Sequence, residues 1–313
     1  MPILDENRVM WLFKLLLILA AVSVGLFALI DFAQTRLIFP TRLAERYQAV
    51  LPASAVRLEI ETGNGTRLRG VHIPPALGRE EEPVILGFGG GGGNADRFAE
   101  YLHGVFPDAA VVTFHYRGYR PSSGRPSAAA LLADAALIHD HLVETLGYRR
   151  VVAVGYSIGS GVAAYLAAQR PLAGLILVSP FDSLEAMARE HYPWAPFGWL
   201  LLHRIETAEY LRGATAPTAV IAAANDTIVP PRRTKLVRRA IPNLVFDRTI
   251  AGADHNLYRH AAFRMALTEA LTHLKSTGAE PMIDEETKAD ILNRIREAKA
   301  DNAPTDAIAF AAT

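Results

Sequence analysis

A serine flanked at two residues' distance by glycines, Gly155-Tyr156-Ser157-Ile158-Gly159, stands between an apolar run, Val151 to Val154, and a helical pattern of small residues containing Gly161, Ala163 and Ala164. This context constrains the fold more than any other stretch. A serine held on a sharp strand-to-helix turn, with its hydroxyl exposed, needs neighbours without bulk two positions before and after it, because the turn brings those backbones into contact. Gly155 and Gly159 meet that demand, and Ser157 is the candidate nucleophile.

The surrounding pattern is consistent with such a turn. Short apolar runs at Val84 to Phe88, Ala110 to His115, Val151 to Val154, Leu175 to Val178, Thr218 to Ala223 and Leu244 to Ile250 read as strands. Helical patterns at Asp96 to His103, Ala128 to Leu146, Ile158 to Ala168, Arg232 to Ala240 and Leu257 to Leu274 alternate with them. Such alternation predicts a mostly parallel sheet with helices on both faces, an α/β fold. Two further strands, Val56 to Ile60 and Leu68 to Ile73, flank Gly63-Asn64-Gly65 and predict an antiparallel hairpin at the start, its Asn-Gly pair supplying positive φ angles. The whole predicts one eight-stranded sheet.

A serine hydroxyl becomes a useful nucleophile when a base takes its proton, and the base needs an acceptor on its other nitrogen. Asp226 directly follows the strand Thr218 to Ala223, and His255 follows the strand Leu244 to Ile250. Both fall at carboxyl ends of strands, where ligands gather in open α/β sheets. His255 is therefore the expected base and Asp226 the expected acid. Asp182, after the strand Leu175 to Val178, competes for the second role, its alternative being an N-cap for a helix beginning near Leu184. Acyl transfer also requires oxyanion donors. The amide of Ile158 and one from the run Gly89 to Gly93 are the candidates. Tyr156, Trp194 and Trp199 are the expected substrate contacts; the two tryptophans belong to the aromatic segment His191 to His203, read as a lid or acyl-chain wall or as a helical insertion in the core.

Outside this core, Trp11 to Ile30 is almost wholly apolar, and about 20 helical residues cross a hydrocarbon layer of roughly 30 Å. Its length exceeds a secretory signal core, so a single-pass membrane anchor is expected. The division expected is an anchor over 1–35, a catalytic domain over 36–275 and a polar tail over 276–313 with a short helix at Asp284 to Ala298. Lys and Arg together number 32 and so do Asp and Glu, so no basic field would attract nucleic acid. With no cysteine, a thiolate nucleophile and Cys-ligated zinc are excluded. No H-E-x-x-H occurs, and His139 and His141, two apart on a helix and so facing different ways, read as surface residues rather than metal ligands. No cofactor is expected. The glycines Gly87, Gly89 and Gly92 also satisfy a dinucleotide fingerprint, but His115, Tyr116 and Arg117 end the next strand where a ribose-binding acid would stand; Arg117 alone suits a 2′-phosphate.

The chain resembles the α/β-hydrolase superfamily, in particular its single-pass branch of ABHD-type membrane-anchored esterases and palmitoyl thioesterases with their bacterial relatives. The likeness spans about Leu37 to Tyr258. Beyond the glycine-flanked serine it rests on Arg36-Leu37-Ile38-Phe39-Pro40, Tyr116-Arg117-Gly118-Tyr119, Gly124-Arg125-Pro126-Ser127, Ser179-Pro180-Phe181-Asp182-Ser183, Asp226-Thr227-Ile228-Val229-Pro230 and His255-Asn256. The resemblance implies hydrolysis of an ester or thioester through an acyl-enzyme, with Ser157, Asp226 and His255 acting together and Ile158 with a residue near Gly90 or Gly91 as oxyanion donors; the apolar N-terminal span and the aromatic segment add the expectation of a lipidic or acylated substrate, small or lipid-like. The family usually carries a His-Gly pair where this chain has Gly89-Gly90. That departure keeps a second reading open, a membrane-bound binding protein on the same fold.

Overall fold

The computed structural model describes residues 6–46, 48–76, 82–194 and 200–277. Trp199 and the tail helix expected at Asp284 to Ala298 lie outside them.

Among the described residues, eight strands form one sheet in the order β1-β2-β4-β3-β5-β6-β7-β8. The strands are β1 (Val56–Glu61), β2 (Arg67–Ile73), β3 (Val84–Phe88), β4 (Val111–Phe114), β5 (Val151–Tyr156), β6 (Gly174–Val178), β7 (Thr218–Ala223) and β8 (Leu244–Ile250). β1 pairs antiparallel with β2 and β2 with β4, and the remaining pairs are parallel. The hairpin turn differs from expectation in one respect: Gly65, not the Asn-Gly pair together, supplies the positive φ, at 76°. The Thr62 amide closes the loop on the Thr66 carbonyl, so the connection is a longer one that needs a single left-handed residue.

The central strands are continuous apolar runs because both faces of the sheet are covered. In β3, Val84 and Leu86 join the core on one face and Ile85 joins the core on the other. One face carries α4 (Ala128–Glu144) and α5 (Ile158–Gln169), through residues such as Leu131, Leu142, Val162 and Leu166. The opposite face carries α3 (Ala95–Val105) and a C-terminal helix (Ala261–Ser276), through Phe98, Leu102, Phe263 and Leu267. The helix starts have local causes. Asn94 accepts from the Arg97 amide at 3.1 Å and Ser127 from the Ala130 amide at 3.1 Å, each satisfying an orphan donor of the first turn.

Short helices complete the body: α2 (Thr41–Ala44) before the sheet, α6 (Leu184–His191) after β6, α7 (Thr207–Arg212) before β7 and α8 (Pro231–Ala240) after it; the C-terminal helix Ala261–Ser276 is α9. His139, expected at the surface, is fully buried on α4, where its Nδ1 lies 3.3 Å from Asp140; the apolar face of α4 is wider than a two-residue comparison suggests.

At the N-terminus, α1 (Glu6–Ile38) contains a stretch long and apolar enough to cross a membrane. Its apolar side chains, Leu16 and Val24 among them, are exposed. The helix continues three residues past the expected boundary at 35 and docks its last turns on the body. Gln34 donates to the Leu200 carbonyl at 2.8 Å and accepts from the Leu202 amide at 3.0 Å. The Thr35 hydroxyl meets His203 Nε2 at 2.9 Å, and Phe39 is buried edge-on against the His203 ring.

Candidate active site

The turn from β5 into α5 places Ser157 at φ 54° and ψ −118°, a left-handed strained backbone for a residue with a side chain. Crowding explains both glycines. A Cβ on Gly155 would lie 2.3 Å from the Gly159 carbonyl oxygen, and one on Gly159 would lie 2.1 Å from the Phe88 carbonyl oxygen. The turn is locked by the Ser157 amide donating to Val178 of the neighbouring β6 at 2.9 Å and by the Ser160 hydroxyl donating to the Ser157 carbonyl at 2.6 Å.

The sheet then assembles residues far apart in sequence. Ser157 Oγ lies 3.2 Å from His255 Nε2, and His255 Nδ1 lies 2.7 Å from Asp226 Oδ2. Asp226 is held in turn: its other oxygen, Oδ1, accepts from the Ile228 amide at 2.9 Å and the Val229 amide at 2.7 Å. Its side chain is 2% exposed and that of His255 is 22% exposed, so the acid is sealed while the imidazole reaches the cavity. The His255 loop is pinned from beneath by Tyr156, whose hydroxyl donates to the His255 carbonyl and accepts from the Leu257 amide at 3.2 Å. Burial raises the Tyr156 phenol well above its ordinary pKa, so it stays protonated as a donor.

Asp182 takes no part in this chain of hydrogen bonds. It pairs with Arg233 at 3.1 Å, and the N-cap of α6 is Ser183, which accepts from the Ala186 amide at 3.1 Å. Arg117, the residue suited to a 2′-phosphate, is turned into an ion pair with Asp134, and its Nε donates to Asp134 Oδ2 at 3.0 Å.

The glycine run Gly89 to Gly93 lies beside Ser157: a Cβ on Gly90 would be 3.7 Å from the Ser157 Cβ, and one on Gly91 would be 3.7 Å from Ile158 Cγ2. This loop is tied down by two tyrosines from the segment after β4. Tyr116 donates to the Gly89 carbonyl at 2.8 Å and Tyr119 donates to the Gly91 carbonyl at 2.6 Å. Burial lifts both phenols far above their ordinary range, which keeps both hydroxyls as donors. The two rings meet edge to face at 5.8 Å. The sequence singles out Tyr116-Arg117-Gly118-Tyr119 as a motif, but not its partner loop.

These elements wall a cavity of ≈ 940 Å³ that contains Ser157, Ile158, His255 and Gly89 to Gly93. Its apolar wall is mostly aliphatic, with Leu184, Met187 and Leu201 joined by Leu37, Ile38, Pro40 and Leu43 from the end of α1 and α2. Of the expected substrate contacts, Tyr156 lines the cavity, its hydroxyl committed to the His255 loop. Trp194 does not line it; the side chain is 83% exposed. The segment His191 to His203 does contribute to the wall, through His191, Tyr192 and Leu201, alongside Leu184, Met187 and Ala188 on the inward face of α6, which helical periodicity orients and residue type alone does not.

Comparison with known proteins agrees with this architecture. A family model described as the α/β hydrolase fold matches residues 83–196. An uncharacterized protein of Mycobacterium tuberculosis strain H37Rv is 36% identical over 245 residues, covering 76% of this chain and 86% of that protein. The lysophosphatidylserine lipase ABHD12 of Danio rerio is 31% identical over 138 residues, which are 38% of this chain and 36% of that one. Among solved structures, a membrane phospholipase A described as a bacterial virulence factor superposes with a TM-score of 0.55 at 15% identity, over 87% of this chain and 99% of its own. The chain belongs to the α/β-hydrolase family, with ABHD-type relatives. Membership supports a hydrolase in general terms.

Proposed function

We propose that this protein is a serine hydrolase that cleaves carboxylic ester or thioester bonds through an acyl-enzyme, on lipid-like acyl substrates. The observation that carries the reading is the unbroken relay from Ser157 Oγ through His255 to Asp226, with hydrogen bonds of 3.2 and 2.7 Å.

As Ser157 Oγ attacks the acyl carbonyl carbon, His255 Nε2 accepts its proton, and Asp226 holds the resulting imidazolium in place. The oxyanion forms beside Ile158 and the Gly90–Gly91 backbone, whose amides are the proposed donors. Collapse of this intermediate breaks the bond to the leaving alkoxide or thiolate, which takes the proton from His255. A water molecule then gives its proton to the same nitrogen and attacks the acyl carbon. When the second intermediate collapses, Ser157 Oγ leaves, regains that proton, and the carboxylic acid is released.

The tyrosine pair beneath the glycine run supports the reading despite the missing His-Gly pair. A loop of five glycines loses much conformational freedom when ordered, and two buried hydroxyl donors hold it in place before substrate arrives. The proposed organisation is a membrane anchor over 1–35, a catalytic body over 36–275 and a polar tail over 276–313. The aliphatic cavity wall and the apolar α1 support a membrane-associated, lipid-like substrate, as does the lipase activity named for ABHD12.

Labelling of the purified full chain by a fluorophosphonate probe tests the proposal. Folded wild type labels and Ser157→Ala does not; wild type that remains unlabelled while folded refutes it and favours the binding-protein reading.

A further inference from the structure

The last turn of α1 does two things at once. It is continuous with the apolar span, and it forms part of the cavity wall: Leu37 and Ile38, followed by Pro40 and by Leu43 of α2, line the same space as Ser157. Its attachment is rigid. Gln34 bridges the Leu200 carbonyl and the Leu202 amide, Thr35 meets buried His203, Asp31 pairs with Arg125, and Phe39 is in the core. The end of the helix also touches the glycine run, since a Cβ on Gly91 would lie 3.1 Å from the Ile38 carbonyl oxygen. A simple tether would need none of these contacts.

Depth along the helix fits the same picture. At 1.5 Å per residue, Leu37 lies about 10 Å beyond Ile30, the end of the apolar span. The polar layer on each side of a bilayer core is about 5–8 Å thick, so an upright helix carries Leu37 just past its outer edge and a tilted one brings Leu37 to that edge. There the cavity has an apolar, open rim: Leu37 is 57% exposed, Leu43 42% and Ile228 52%, and all three line the cavity. Leucines and isoleucine open to water around a cavity mouth are unfavourable, but at a lipid interface they continue the hydrocarbon surface that α1 already meets.

On this geometry, and resting on the serine hydrolase reading above, we infer that the cavity takes its acyl chain directly from the bilayer leaflet, along the last turn of α1, with Leu37 and Leu43 selecting a long aliphatic chain. The substrate stays membrane-held while its ester reaches Ser157, and the anchor is one wall of the binding site.

The test uses the full chain in phosphatidylcholine vesicles, with monopalmitoylglycerol as the bilayer-held ester and p-nitrophenyl acetate as the water-soluble one. Monopalmitoylglycerol in the protein's own vesicles is expected to be hydrolysed at least tenfold faster than the same ester in separate vesicles. Leu37→Glu and Leu43→Glu are each expected to lower kcat/KM on monopalmitoylglycerol at least tenfold more than kcat/KM on p-nitrophenyl acetate, with circular dichroism to verify the fold. Equal rates from shared and separate vesicles, or a ratio of the two kcat/KM values that stays within twofold of wild type in both variants, overturns the inference while leaving the serine hydrolase standing. Wild type that does not label removes the underlying reading, and the inference with it.

Discussion

Replacing Asp226 by Asn changes one atom, and the structure dictates where that atom points. Oδ1 of Asp226 accepts from two backbone amides, Ile228 at 2.9 Å and Val229 at 2.7 Å, while Oδ2 faces His255 Nδ1 at 2.7 Å. An asparagine keeps its carbonyl oxygen toward the two amides, because the opposite flip would set NH₂ against two N–H donors. Leaving the buried Val229 donor unmade costs about 1–3 kcal/mol and the half-buried Ile228 donor adds to that, so the flipped amide is populated at roughly one part in 5 or less. The NH₂ therefore faces His255 Nδ1, forces that nitrogen to be the acceptor, and moves the ring proton to Nε2. In that tautomer the nitrogen beside Ser157 cannot take its proton. The expected loss in kcat is about 10³- to 10⁴-fold, a barrier increase of roughly 4–5 kcal/mol, with KM within a few-fold. The assay is the acylation burst on p-nitrophenyl esters, paralleled by the fluorophosphonate labelling rate, with circular dichroism to verify the fold. Asp182→Asn is the companion, expected within about threefold of wild type because Asp182 is engaged by Arg233. Asp226→Asn retaining more than a tenth of wild-type activity, or Asp182→Asn losing as much as Asp226→Asn, refutes the reasoning.

Other expectations follow from the same geometry. Gly159→Ala places a methyl carbon 2.1 Å from the Phe88 carbonyl oxygen, so it is expected to cost about 3 kcal/mol or more or prevent folding, read from the urea midpoint; a change under about 1 kcal/mol contradicts the tight turn. Tyr119→Phe removes the donor to Gly91, and kcat is expected to fall about tenfold with KM within twofold, whereas unchanged kcat would show that the loop orders itself. Asp140 has opposing influences: burial raises its pKa, but hydrogen bonds from Arg170 and His139 outweigh this and hold it below the usual carboxylate value. Its stabilisation is present above the unfolded carboxylate pKa of about 4 and is lost as pH falls through the lower folded value. Urea midpoints from pH 7 to 2 are expected to show an acid loss that Asp140→Asn reduces; an identical acid limb in the variant sinks the assignment.

Much of the fold was legible because its causes are local. β3, β7 and β8 fall at the spans that apolar runs predict, and the glycines around Ser157 report a crowded turn that steric rules anticipate. The order of serine, aspartate and histidine, each following a strand, was equally visible. Choosing Asp226 over Asp182 was not a local matter. Both follow apolar strands, and only the folded chain sets Asp182 against Arg233 and Asp226 against His255.

The sequence by itself determined the sheet strands, the longer helices in outline, the serine turn and the presence of an apolar N-terminal helix, because backbone sterics and hydrophobic period act between near neighbours; the short helices Thr41–Ala44 and Thr207–Arg212 carried no such period. Tertiary structure alone decided that Tyr116 and Tyr119 hold the glycine run, that α6, Tyr192 and Leu201 rather than Trp194 wall the cavity, and that the end of α1 also lines it. The sheet order β1-β2-β4-β3-β5-β6-β7-β8 permutes the chain order, so these partners come from segments whose separate sequences carry no mark of one another.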